Sequence, residues 1–225
     1  MNARKLQIII NILIIILEII GFVLVINQIG VKSLEYYTED SNFLLLLSSI
    51  LFLVYLSLDK EFPSWLQSFR FIAIVSTTLT FIIVITVLSW TTDLGLYYLL
   101  FGDSMLYHHT LCPILAILSF ICIEKYDNLN ALHGLIFTLV YGIIMLPLNI
   151  LKIVEGPYPF LMVYNQPILQ SILWIIIIYA ITYAIALILK KGNEKVIILL
   201  LPLSYLSFRI VGYPLSYRML RQSPF

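Results

Sequence analysis

Two adjacent histidines, His108 and His109, stand at the mouth of an apolar run that continues to Ile123. Imidazole changes its charge near neutral pH, so it suits a general base, a proton carrier or a metal ligand. A polar group at membrane depth is costly unless something satisfies it, which makes this stretch a candidate for function. The alternative is that both rings lie at the headgroup level and only anchor the helix end.

A second polar stretch runs from Tyr36 to Asn42. If a helix begins near Thr38, then Thr38, Ser41 and Asn42 lie on one face, at spacings of three and four residues. The alternative is helix capping by Asp40 or Ser41, because both residue types are favoured at N-caps.

A hydroxyl nucleophile needs a neighbouring base, because its own pKa leaves it protonated. Thr38 paired with His108 or His109 would meet that need. The competing arrangement is a metal site from His108, His109, Cys112 and Asp103. Adjacent histidines on an α-helix point about 100° apart, which disfavours joint ligation, so we predict no metal. The sequence contains no phosphate-binding loop, dinucleotide fingerprint or HExxH, and we expect no cofactor.

The composition places these stretches in a membrane. The chain has 225 residues, of which 61% are hydrophobic and 11% charged, and its mean hydropathy is +1.02. Soluble domains carry about a quarter charged residues, whereas here apolar runs reach the roughly 20 residues that cross a bilayer. Runs such as residues 8–16 do not alternate, which excludes a β-barrel. The net charge of +1 comes without a basic stripe, so we expect membrane lipids rather than nucleic acid as partners.

We therefore predict an all-α, multi-pass bundle in the cell membrane, formed by residues 1–225 as a single domain. Six spans are expected, and a seventh segment, 196–217, is interrupted by Pro202, Arg209 and Pro214. The predicted spans cover residues 7–27, 41–58, 69–90, 105–123, 131–150 and 169–189.

The distribution of Lys and Arg predicts a cytoplasmic N-terminus. Three arginines, Arg209, Arg218 and Arg221, depend on whether the seventh segment crosses. Of the other cations, the outer side holds only Lys32 and Lys152 in that orientation. The inner side holds eight cations, namely Arg4, Lys5, Lys60, Arg70, Lys125, Lys190, Lys191 and Lys195. In this topology the stretch before Asn42, the histidine pair and the loop 155–160 all fall at the outer face. Three polar or turn-rich segments would then form one site that opens outward.

Glu18 lies near the middle of the first predicted span, where a lone carboxylate is costly. It and Arg209 lie about 11 and 13 residues from the inner ends of their segments, at similar depth near 17–20 Å. We predict that they pair, which requires the seventh segment to cross the membrane. The alternative is a protonated Glu18 that bonds to a neighbouring Ser, Thr or Tyr.

Three motifs together resemble a known pattern: Tyr37-Thr38-Glu39-Asp40-Ser41-Asn42, His109 four residues before Pro113, and Gly156-Pro157-Tyr158-Pro159-Phe160. They are similar to motifs in small bacterial integral membrane proteins that are distantly related to the animal androgen-induced and androgen-dependent membrane hydrolases. The resemblance covers about residues 36–190. Tyr37 departs from the Phe of the bacterial pattern.

The resemblance implies an intramembrane threonine hydrolase that cleaves fatty acid esters. Carried over by motif, the catalytic threonine is Thr38 and the histidine is His109, with His108 as the alternative one residue away. We expect Asn42, Ser41, Tyr158 and Phe160 to bind the substrate. Asn42 would stabilise the oxyanion, and Tyr158 and Phe160 would shape the acyl entrance. The expected ligand is a fatty acid ester or small amphipath. The alternative, in a different class, is a non-enzymatic protein that binds or moves such a molecule.

Overall fold

The computed structural model describes residues 3–126 and 129–194, and this part of the chain is an all-α bundle without strands. Aliphatic runs with few charges form long helices that bury part of their surface against one another. The helices are α1 (Ala3–Ile29), α2 (Tyr37–Ser57), α3 (Ser64–Thr91), α4 (Gly95–Phe101), α5 (Leu106–Cys122), α6 (Ala131–Ile150) and α7 (Ile168–Glu194).

Five of these helices are long and apolar enough to cross a bilayer, and a sixth crossing exists if α4 and α5 are one bent span. The chain is therefore a multi-pass membrane protein. Five predicted spans match α1, α2, α3, α6 and α7 to within a few residues. The seventh segment, 196–217, lies outside the described residues.

The fourth predicted span is not one straight helix. The short helix α4 and the longer α5 meet at 85°, and Asp103 occupies the left-handed backbone region at φ 36° between them. The first part of α5, Leu106–Leu111, is a π-helix in which the amide of Cys112 donates to the carbonyl of Tyr107. Pro113 explains this widening, because it has no N–H and its ring would clash with the carbonyl four residues earlier. Residues 106–111 therefore do not follow the α-helical spacing of about 100° per residue.

Helix α3 lies at the centre of the bundle. In the most apolar 18-residue stretch of α3, 72% of the residues are buried, whereas 28–39% are buried in the corresponding stretches of the other spans. Small polar side chains allow this close packing, and their hydroxyls bond to carbonyls of their own helix, as Thr77 does to Ala73 and Thr78 to Ile74. Helix α3 is thus the scaffold against which the other elements are placed.

We call the end of the bundle where α2 and α5 begin the outer end, after the predicted orientation, and the opposite end the inner end. At the inner end Arg70 and Glu124 form a fully buried pair, joined by bonds of 2.9 and 3.3 Å. Arg70 was counted among the inner loop charges, but it lies inside α3 as a buried group. We name Arg70, Glu124 and their hydroxyl partners the inner cluster.

Candidate functional site

A cavity of about 390 Å³ lies at the outer end, walled by α2, α3, α6, α7 and the loop 151–167. Its size falls in the range of small-ligand pockets, about 300–1,000 Å³. Among the residues that the structure describes, none in this wall is charged. The wall is mainly aliphatic and aromatic, with seven hydroxyl-bearing residues: Tyr37, Thr38, Thr80, Thr138, Tyr141, Tyr158 and Tyr179.

Most of these hydroxyls are satisfied by other protein groups. Tyr37 bonds to Thr138 at 2.8 Å, and Tyr141 donates to the carbonyl of Glu35 at 2.8 Å. Thr80 contacts Ser41 at 3.2 Å. Tyr179 donates to the Thr138 carbonyl at 3.4 Å. The cavity therefore offers a mainly apolar volume, with the hydroxyls of Thr38 and Tyr158 paired in its wall.

Thr38 and Tyr158 touch through two contacts. The backbone amide of Thr38 donates to the Tyr158 hydroxyl at 3.1 Å, and the Thr38 Oγ1 lies 3.2 Å from the same oxygen. Both residues are buried and both line the cavity. The structure thus brings together two segments that are 120 residues apart in the chain.

The loop that carries Tyr158 folds back over the end of the bundle. The side chain of Asn149 donates to the Val154 carbonyl at 3.1 Å and accepts from the Val163 amide at 3.3 Å. At Gly156 a Cβ atom would lie 2.5 Å from the carbonyl oxygen of Leu161, so a side chain there would force the loop apart. Phe160 stacks on Tyr158 with ring centres 5.3 Å apart. Both aromatics line the cavity, and their role in shaping an acyl entrance stays a prediction.

Ser41 and Asn42 are fully buried and hold the site together rather than facing the cavity. Ser41 donates to the Thr38 carbonyl at 2.9 Å. Helix α2 begins at Tyr37, and its N-cap residue Tyr36 has no side-chain capping bond, so capping by Asp40 or Ser41 is wrong.

Asn42 joins the start of α2 to the histidine segment. Its amide nitrogen donates to the Thr38 carbonyl at 2.8 Å and to the His108 carbonyl at 3.1 Å. An amide group has two N–H donors, and both are used here. Asn42 therefore has no donor left for an oxyanion, which corrects the role that we expected for it.

His109 is buried, and its Nδ1 lies 2.7 Å from the carbonyl oxygen of Leu99. A carbonyl can only accept, so Nδ1 carries the hydrogen. In the neutral ring Nε2 is then the acceptor, which is the tautomer that a general base requires.

His108 has a different environment, between two glutamates. Its Nδ1 lies 2.7 Å from Glu39 Oε2, and its Nε2 lies 3.3 Å from Glu18 Oε2 and 3.4 Å from the Glu18 carbonyl. Gly21 makes room for the ring, because a Cβ there would lie 2.2 Å from His108 Nε2. We name Glu18, Glu39 and His108 the outer cluster. Both nitrogens of His108 face glutamate oxygens, so His109 is the better candidate base.

Glu18 is fully buried, and neither of its carboxylate oxygens has a well-directed hydrogen bond among the described residues. The Nε2 contact at 3.3 Å is within ion-pair range but poorly aligned. The Cys112 thiol lies beside the same carboxyl group. Arg209, the predicted partner of Glu18, lies outside the described residues. Sequence reasoning missed Glu39 and the contact between Glu18 and His108, because the three helices meet only in the folded chain.

No hydrogen bond joins Thr38 to His108 or His109 within residues 3–126 and 129–194. The predicted Thr/His pair therefore stays a prediction, although both members lie at the outer end. Over the same ranges no group of three or more His, Cys, Asp and Glu side chains could hold a metal ion. Asp103, one proposed ligand, instead accepts from Tyr98 at 3.0 Å.

The chain was compared with protein-family models, curated proteins and solved structures, and no match was found.

Proposed function

We propose that this protein is a lipid-ester hydrolase that acts from within the membrane. The observation that supports it is the position of the Thr38 hydroxyl, which lies in the wall of an uncharged, largely apolar cavity beside a second hydroxyl. An acyl chain would fill the apolar volume, and its ester carbonyl would lie at the Thr38–Tyr158 pair. A water-poor cavity strengthens electrostatic interactions inside it, which favours a charged transition state.

The chemistry proceeds in two steps. Thr38 Oγ bonds to the acyl carbon while its proton passes to His109 Nε2, and the ester C–O bond then breaks as the alcohol takes that proton. Water next attacks the acyl-threonine and gives its proton to His109, and Thr38 recovers a proton as the free fatty acid leaves. The Nδ1 bond of His109 to Leu99 supports this role, because it leaves Nε2 as the acceptor.

The resemblance to the androgen-induced and androgen-dependent hydrolases favours the same residues. It also favours membrane lipids and a fatty acid ester as the ligands, and the cell membrane as the location.

A second candidate function is binding of a fatty acid or similar amphipath without catalysis. It is favoured by the Thr38 hydroxyl, whose observed side-chain partner is Tyr158 rather than a histidine. The same cavity would hold the acyl chain in either case.

The test is turnover of a fluorogenic medium-chain ester by purified protein in lipid nanodiscs. Thr38→Ala and His109→Ala should each reduce turnover on the order of 10³-fold or more, because each removes a group that takes part in the covalent step. A fluorophosphonate probe should label wild-type Thr38 and leave Thr38→Ala unlabelled.

Two variants serve as matched controls. Ser57→Ala removes an exposed hydroxyl from the inner end of α2, and His133→Ala removes the histidine that contacts Ser68 in the inner half of the bundle. Both should retain wild-type turnover. Unlabelled protein that binds a fluorescent fatty acid but hydrolyses no ester would reject the hydrolase and support the binding function.

A further inference from the structure

A hydrolase that works through Thr38 must stabilise the negative charge that develops on the acyl oxygen. Preorganised N–H or O–H donors usually supply this, and a helix start is a common source. Here the donors near Thr38 can be counted, because most of them have partners in the structure.

The backbone at the start of α2 has little to offer. The amide of Thr38 donates to Tyr158, and the amides of Glu39 and Asp40 both donate to the Tyr36 carbonyl. An amide that already has a strong acceptor is a poor oxyanion donor, since it must break one bond to form another.

The neighbouring side chains are engaged as well. Both donors of Asn42 go to carbonyls, and the Ser41 hydroxyl donates to the carbonyl of Thr38. The Thr80 hydroxyl lies between Ser41 Oγ and the Ser76 carbonyl. These groups position α2 but do not supply a donor to the cavity.

We propose that Tyr158 is a further catalytic residue, whose phenolic O–H stabilises the oxyanion formed when Thr38 attacks the ester. This inference rests on the proposed function. The Tyr158 oxygen accepts from the Thr38 amide, so its own hydrogen is directed elsewhere, and the atom within reach is Thr38 Oγ1 at 3.2 Å. In the tetrahedral intermediate the carbonyl oxygen is separated from Oγ by a single carbon atom. It therefore comes within reach of the same O–H.

The surroundings of Tyr158 suit a donor and not a base. Burial raises the pKa of Tyr158, and the hydrogen bonds with Thr38 offset part of that rise. The phenol therefore keeps its proton at physiological pH. Stacking on Phe160 and an edge contact with Tyr36 fix the ring, so little reorganisation is needed when charge develops.

The test compares Tyr158→Phe with wild type in nanodiscs, using the fluorogenic ester. Loss of one oxyanion donor should lower kcat about 10²–10³-fold with KM unchanged, because the bond strengthens only in the transition state. Affinity for a trifluoromethyl ketone, which forms a tetrahedral adduct with Thr38, should fall by a similar factor. Affinity for the product fatty acid should not change.

Tyr164→Phe is the matched control, because it removes a phenolic hydroxyl from the same loop and its partner is the Ile150 carbonyl. It should retain the wild-type kcat. If Tyr158→Phe keeps the wild-type kcat while Thr38→Ala loses turnover, the inference about Tyr158 fails and the hydrolase stands. If Thr38→Ala also retains turnover, or the wild type has none, the proposed function fails and the role of Tyr158 fails with it. A rise in KM and a loss of thermal stability without a fall in kcat would assign Tyr158 a structural role.

Discussion

Two buried clusters of charged residues lie at opposite ends of this bundle, and they are satisfied to very different degrees. In the inner cluster Arg70 donates to Glu124, to Ser48 at 3.1 Å and to Ser49 at 2.7 Å. Glu124 also accepts from Ser119 at 2.6 Å and from Tyr126 at 2.5 Å. Both charged side chains of the inner cluster, Arg70 and Glu124, are therefore bonded to each other and to hydroxyl groups.

The outer cluster lacks this completeness. His108 and Glu39 are well bonded at 2.7 Å, but both oxygens of Glu18 lack a directed hydrogen bond among the described residues. A saturated buried pair gives rigidity, whereas a partly satisfied group is a cost that the fold must offset elsewhere. The inner cluster therefore fixes the helices against one another, whereas the outer cluster lies beside a candidate reaction site. Three measurements of stability test this difference between the two clusters.

The largest effect should come from breaking the inner pair. Glu124→Leu leaves the Arg70 charge buried without its carboxylate, so we expect a loss of about 3–5 kcal/mol in the free energy of unfolding. The double variant Arg70→Met/Glu124→Leu should recover much of this loss, because neither charge is then buried. Thermal unfolding in detergent gives the comparison. Asp59→Asn, in the exposed pair with Arg4, is the control and should change stability by less than about 1 kcal/mol. A single variant as stable as wild type would contradict the structural role of the pair.

A smaller effect should come from closing the space that His108 occupies. In Gly21→Ala the new methyl group would lie 2.2 Å from Nε2 of a ring that Glu39 holds in place, so we expect a loss of about 1–3 kcal/mol. Gly192→Ala is the matched control on another helix, where the nearest atom is 3.4 Å away. That variant should gain up to about 1 kcal/mol from the helix propensity of Ala. Equal behaviour of the two variants in the same unfolding measurement would show that His108 is not fixed against α1.

The smallest effect should come from Glu18→Leu. This substitution removes a buried carboxylate without well-directed bonds, so we expect a change of no more than about 1 kcal/mol, in either direction. Unfolding of this variant is compared directly with that of Glu124→Leu. A loss as large as that of Glu124→Leu would mean that Glu18 has a strong partner. Arg209→Met would then show whether that partner is the predicted Arg209.

Hydropathy was enough to predict where most helices lie, because crossing a bilayer requires an uninterrupted apolar run of known length. The number of spans also predicted that Thr38, the histidine pair and Tyr158 would lie at the same end of the bundle, because successive spans run in opposite directions. These predictions depend on the number of spans and not on side-chain geometry, which explains their success.

The details of the site depend on contacts between distant segments, which periodicity does not encode. Arg70 and Glu124 lie 54 residues apart, and each one separately resembles an interfacial charge at a helix end. The contact between Thr38 and Tyr158 requires the loop after α6 to fold back over the cavity, and no local pattern specifies that path. The 85° bend before α5 was missed because α4 is too short to appear as a separate span.

The π-helix before Pro113 places the histidines at different angles around the axis of α5 from those that the α-helical repeat of its remaining residues would give. Each π-type ring encloses one residue more than an α-type ring, so this segment behaves as a one-residue insertion. Deleting a single residue between Leu106 and His108 would allow the segment to form an ordinary α-helix. The part of the chain before the deletion would then rotate by about 100° about the helix axis. Proteins with this architecture should therefore tolerate exchanges of aliphatic side chains along α5 more readily than any change in its length.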